Sequence, residues 1–382
     1  MQIKKIRVNG RDNIVKLAAW IGLGAFVAQI FAWRAVVSVL FACSFVCVTA
    51  NYLVFISARK RVRLDDIALF LLTLLVVLLS EWKLQFDYFK PAIIVLCSAL
   101  CIDQCIEIRT GRKTCKRIQW LLILLCIVVN TLYYYGGFRS YYYGSTSFIS
   151  LNMGNSNETA MWLVFLIVLL WDSASMEQEI GAKIRPMICA VTLLPILFGT
   201  GSRNCLIAIV FFFAGRICLW LFKIKKLPNG VILLIMMAPI LVYVGYMYIF
   251  IPHYDRLSHW FLFLAAEGKP LTARSRIWSD LEISQLKHIL FGNYTEYHGQ
   301  NLHNSMVTIF CGYGALYVFI LCKKFYKAML STQNAAVQLT LGTVWLTGCF
   351  EASIFAGVAG MYMLVLLLPI FHQPAIHRTK RC

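Results

Sequence analysis

The sequence predicts an all-α, polytopic membrane protein of about twelve transmembrane helices, a single domain with one large loop containing short helices on its outer side. Three observations predict it. Hydrophobic residues make up 60% of the 382 positions and charged residues only 14%, against about 25% charged in an ordinary globular domain, and the mean hydropathy is +0.72. Apolar runs long enough for a bilayer, roughly 17 to 25 residues, recur along the whole chain. Short basic clusters fall between them at alternate loops.

Hydropathy places the spans, in order, near 16–33, 35–56, 66–82, 91–106, 118–135, 159–175, 186–199, 204–222, 230–251, 304–322, 334–349 and 353–371. The first lacks a small-residue cleavage site and runs directly into the second, so the start of the chain reads as structure rather than a cleaved signal. Two outer segments are long enough to build on. Residues 136–158 are tyrosine-rich around Tyr141, Tyr142 and Tyr143, and 252–303 form the large loop. Within that loop, Ala273 to Leu290 has helix-compatible spacing, with Ile277, Leu281, Ile289 and Leu290 on one side and Asp280, Glu282 and Lys287 elsewhere. An amphipathic helix lying on the membrane is expected there. No internal repeat or linker divides the chain, so residues 1–382 read as one domain.

A net charge of +19 raises the question of a nucleic-acid partner, and the charge distribution answers it. With the N-terminus cytoplasmic, Lys4, Lys5, Arg7, Arg11 and Lys16, then Arg59 to Arg63, Arg109 to Arg117, Lys183 and Arg185, Lys223 to Lys226, Lys323, Lys324 and Lys327, and Arg378 to Arg381 all lie on the inner side. These are most of the 36 lysines and arginines. The positive-inside rule accounts for that alternation, so the basic balance is a topology signal with both termini cytoplasmic. No nucleic-acid partner is expected. The 14 cysteines lie mostly inside apolar runs, as Cys43, Cys47, Cys97, Cys126, Cys189 and Cys218 do, and no CxxC pair offers a metal site.

Polar residues of the outer face gather at Gly154 to Asn157, at Gly201-Ser202-Arg203, at Arg274 and Arg276, and at His303-Asn304. Helices that begin just after Arg203 and His303 would direct their positive dipole ends outward, which favours an anion. Arginine suits a phosphate or diphosphate, because its fork matches two oxygens and its charge persists at any working pH. The alternative reading is that Arg203 anchors a helix end by snorkelling, and Arg216, further along the same helix, is expected to snorkel toward the cytoplasm. His303 opens a span from the outer side and has the pKa to take a proton from a hydroxyl. His253, His259, His288 and His298 share its loop, and a structural histidine is the plainer reading. No HExxH, paired Asp-x-Asp or glycine-rich phosphate loop is present, so neither a metal nor a nucleotide cofactor is expected.

At these positions the sequence resembles the O-antigen ligase and O-antigen polymerase superfamily of bacterial inner membranes. His303-Asn304 followed by Gly314 and Tyr317 looks like the ligase motif in both residue types and spacing. Gly201-Ser202-Arg203 opening an apolar helix, Asn157 with Ala160, and Ala273-Arg274 followed by Trp278 and Phe291-Gly292 support it. The likeness runs over roughly 150–320; earlier residues match only as apolar spans. A second glycine common near position 292 is replaced by Asn293-Tyr294. The resemblance implies a GT-C-like, metal-independent glycosyltransferase with a periplasmic site. Its donor would be an undecaprenyl-diphosphate-linked glycan and its acceptor a sugar hydroxyl of lipid A-core. It carries the catalytic histidine onto His303 and the phosphate-binding arginines onto Arg203 and Arg274. Arg276 is a second candidate, since two residues away it presents another face; Asn157, Asn304, Gly314 and Tyr317 are supporting positions.

Two alternatives stand beside the ligase. A polymerase would join lipid-linked repeat units with a similar topology and arginine-rich site. A transporter or flippase for the same lipid would place ionisable groups and broken helices near the midplane, where the spans here are expected to carry almost none.

Overall fold

The computed structural model describes residues 34–59, 62–79, 112–136 and 139–351, apart from 144–145, 151–155, 176, 178, 261–273, 282–284, 298–299, 301, 333 and 350, together with isolated positions within 17–28 and 91–100. Helices dominate. They are α1 (Arg34–Arg59), α2 (Leu64–Leu79), α3 (Arg112–Tyr134), α4 (Ser156–Ala174), α5 (Ile180–Thr192), α6 (Leu194–Gly199), α7 (Arg203–Leu221) and α8 (Asn229–Gly245). After a π-helical turn at Tyr246–Phe250 come the short α9 (Tyr254–Leu257), α10 (Ser275–Ser279), α11 (Leu286–Phe291) and α12 (Tyr294–Tyr297). The long α13 (Ser305–Ser331) and α14 (Ala335–Thr347) follow.

Six of the described helices are long and apolar enough to cross a membrane: Cys115–Tyr134, Ser156–Ala174, Ile180–Gly199, Arg203–Leu221, Asn229–Phe250 and Ser305–Ser331. Each coincides with a span expected from hydropathy. α1 and α2 fall on two more, while expected spans 16–33 and 91–106 lie largely, and 353–371 wholly, outside the described residues. The expected span 334–349 is only the 13-residue α14, short of the roughly 17 residues a bilayer crossing takes. α13 instead runs well past the expected boundary at 322.

The extension of α13 has an electrostatic cause. Lys324, counted among the inner loop cations by sequence, is buried against Asp66 in the first turn of α2. Beside it Asp65 takes Lys323 at 2.7 Å and Lys327 at 3.1 Å. Neutralised in this way, the lysines extend the helix rather than ending it, and the two aspartates complement the α2 dipole.

The core is centred on α4, most of whose residues are buried from Thr159 to Leu170, with α3, α5, α7 and α14 packed around it. α14 joins α8 and α13 through Trp345, which stacks on Phe325 at 4.5 Å and donates to Met236 O at 3.1 Å. Outward faces are equally apolar: α7 exposes Ile207, Val210, Ile217 and Leu221 while burying Cys205, Ala208, Ile209 and Phe212. A helix whose uncovered side is apolar fits a lipid surround.

Among the described residues a hairpin interrupts the otherwise helical chain, and two expectations are corrected. The outer segment 136–158 contains an antiparallel hairpin, β1 (Arg139–Tyr143) with β2 (Thr146–Ser150), in register from Arg139 opposite Ser150 to Tyr143 opposite Thr146. Phe148 and Ile149 of β2 lie where Cβ atoms at Gly201 and Gly199 would stand, so the hairpin rests on the approach to α7. The single helix expected over 273–290 is instead α10 and α11, with Asp280 and Leu281 non-helical between them. Arg216 does not snorkel to the surface. It pairs with the fully buried Asp172 of α4, whose Oδ2 also accepts Thr340 Oγ1 at 2.6 Å. The helix interior therefore does hold ionisable groups, and their mutual neutralisation is what admits them.

Candidate functional site

The site starts from the turn that opens α13. Asn304 is fully buried and caps the helix, its Oδ1 accepting the backbone N–H groups of Met306 and Val307, each at 3.0 Å. Its Nδ2 donates to Pro239 O at 2.8 Å and Cys349 O at 2.9 Å. One amide thus ties α8, the start of α13 and the end of α14 together. Ser305 adds N–H to Gly348 O at 2.9 Å and Oγ to Glu351 O at 2.7 Å. Held by these bonds, His303 has a left-handed backbone, φ +55°. That conformation is uncommon for a residue with a side chain and clusters at functional sites.

Glu351 is where the chemistry converges. Its Oε1 accepts Asn157 Nδ2 at 2.7 Å and Arg274 Nη2 at 3.0 Å, and its Oε2 lies 3.4 Å from His303 Nδ1. Asn157 comes from the first turn of α4, Arg274 from the residue preceding α10, and His303 from the residue preceding the cap of α13. Three residues singled out from sequence, distant along the chain, meet at one carboxylate. Arg203 opens α7 close enough for its charge to interact with that of Arg274, and both act on Tyr246 in the π-helical turn. Next to it, Asn204 Nδ2 donates to Thr347 O at 2.6 Å, which fixes the α7 N-terminus against the end of α14.

Arg274 is aimed by Trp278, one turn further on. The indole is buried, donates to Leu302 O at 2.7 Å, and meets the rings of Tyr243 and Tyr246 edge-on at 5.2 and 5.1 Å. The α10 face that carries Arg274 and Trp278 therefore turns inward. Of the two arginines, Arg274 reaches Glu351 and Arg276 is exposed.

Gly314 and Tyr317 do not touch the carboxylate. Gly314 breaks α13 with φ +83°, and a Cβ there would overlap the carbonyl of Leu290. Gly292, with φ +76°, meets the Gly312 backbone in the same way, and Asn293 N–H donates to Cys311 O at 2.7 Å. These two glycines let the α11–α12 loop lie directly on the kink of α13. Tyr317 is fully buried beside Tyr313, its hydroxyl accepting Thr73 Oγ1 at 3.4 Å. It is a core residue.

Glu351 was missed by sequence reasoning, although a signal existed. It is the only acidic residue after Glu296, and it sits in the short connection between two expected spans. Among the described residues no three His, Cys, Asp or Glu side chains are grouped to hold a metal, and no disulfide joins the described cysteines. The chain matches no protein-family model, and no curated protein or solved structure matches it.

Proposed function

We propose that this chain is an O-antigen ligase of a bacterial inner membrane, transferring an undecaprenyl-diphosphate-linked polysaccharide to a sugar hydroxyl of lipid A-core on the periplasmic face. The observation that carries the reading is the meeting of Arg274, Asn157 and His303 at Glu351, with Arg203 alongside. Transfer from a lipid diphosphate needs a cationic clamp for the leaving group and a base for the acceptor. Arg203 and Arg274 are the clamp. His303 is the base: its Nδ1 faces Glu351 Oε2 at 3.4 Å, and the carboxylate favours the tautomer with the proton on Nδ1, in which Nε2 is the basic nitrogen. As the acceptor oxygen bonds to the anomeric carbon, the bond from that carbon to the diphosphate oxygen breaks and the diphosphate departs as an anion.

Deletion of the gene separates ligase from polymerase. Loss of a ligase leaves core without O-antigen; core capped by a single repeat unit would instead assign the polymerase. His303→Ala should insert normally yet fail to cap lipopolysaccharide, and wild-type capping in that variant would overturn the assignment of the base.

A further inference from the structure

We propose that the Glu351 carboxylate is a built-in occupant of the diphosphate site, displaced from Arg274 by the donor and thereby handed to His303. The inference rests on the donor assignment above and adds an order of events to it. A carboxylate and a phosphate compete for the same fork of N–H donors. Glu351 Oε1 already holds one donor from Arg274 and one from Asn157, while Oε2 is longest to His303 Nδ1 at 3.4 Å. Two guanidiniums, Arg203 and Arg274, are near one another, and the carboxylate supplies a single negative charge to this pair. A diphosphate brings more charge and more acceptor oxygens, and so displaces it.

Among the described residues, the backbone at and before Glu351 is held while its side chain carries the exchange. The Glu351 carbonyl is held by Ser305 Oγ at 2.7 Å, and the preceding residues by Asn304 Nδ2 and Ser305 N–H. Once off Arg274, the carboxylate keeps His303 as its neighbour and supports the imidazole as it takes the acceptor proton. The base is then fully supported only when the donor is in place. Glu351 is a positioning residue in this scheme, acting through His303 and Arg274.

The test is binding of undecaprenyl diphosphate to the full chain in detergent micelles, with undecaprenol and inorganic pyrophosphate as lipid-only and headgroup-only probes. Glu351→Gln removes the competing charge, so undecaprenyl diphosphate and pyrophosphate should bind about tenfold more tightly, undecaprenol should be unchanged, and transfer should slow. A merely structural glutamate would not tighten binding on removal. Equal or weaker diphosphate binding in the variant, with wild-type binding intact, overturns the displacement alone. Wild-type protein that does not prefer undecaprenyl diphosphate to undecaprenol overturns the donor assignment and the displacement with it. Infrared difference spectra of the unmodified protein give a second measurement: pyrophosphate should shift a carboxylate stretching band, and a silent carboxylate region contradicts the exchange.

Discussion

At the scale of single residues, the roles of Arg274 and Arg276 separate by orientation. Arg274 reaches Glu351 at 3.0 Å and Arg276 is exposed. Arg274→Ala should lower transfer about a hundredfold, the cost of losing one preorganised charge from a transition-state site, while Arg276→Ala stays near wild type in the same assay. Asn304 is a different kind of residue. Its truncation removes a helix cap and strips donors from two buried carbonyls. Asn304→Ala should therefore cost about 2–4 kcal/mol of stability, read by thermal unfolding in detergent. His303, Arg274, Arg203 and Asn157 were legible in the sequence because their side-chain chemistry is rare beside apolar helices and all lie toward one face. Glu351 was not, because a lone glutamate between two apolar runs looks like any loop residue until the fold brings Asn157 and Arg274 to it.

Among the elements, the long helices were legible and the irregular ones were not. Long apolar runs register directly in hydropathy, as α3, α4, α7 and α8 show. The outer loop follows tertiary constraints that periodicity does not carry. Trp278 draws α10 inward, Asp280 and Leu281 leave the helix, and Gly292 presses the next segment against Gly312, so the surface helix expected over 273–290 is interrupted. α13 carries the matching constraint at Gly314. Gly314→Ala meets both a positive φ and the Leu290 carbonyl, a backbone neighbour that has no rotamer to yield. A loss of at least about 2 kcal/mol is expected, with His303-dependent transfer falling as the start of α13 shifts. Unfolding temperature and transfer rate measured on one preparation check both parts.

Across the whole molecule, the helices that bring Asn157, Arg203 and Glu351 together at one end are tied deeper in the bundle by Asp172 of α4, Arg216 of α7 and Thr340 of α14. Asp172→Asn leaves a buried guanidinium without its charge partner and should destabilise the protein by about 3–5 kcal/mol. The double variant Asp172→Asn with Arg216→Gln should recover part of that loss, as a denaturation series on the three proteins would show. Sequence reasoning misplaced this tie because an arginine near a helix end reads as a snorkelling side chain until its acidic partner on another helix is known. On the proposed function, a membrane setting gives the arrangement its purpose, since reactants with lipid tails would reach a site at a helix-bundle end from the side. The most direct measurement is transfer by the purified full chain, given undecaprenyl-diphosphate-linked glycan and lipid A-core in micelles without added divalent cation. The account predicts a covalent glycan–lipid A-core product with wild type and its loss with His303→Ala; no product from folded wild-type protein, or equal product from both, would contradict it.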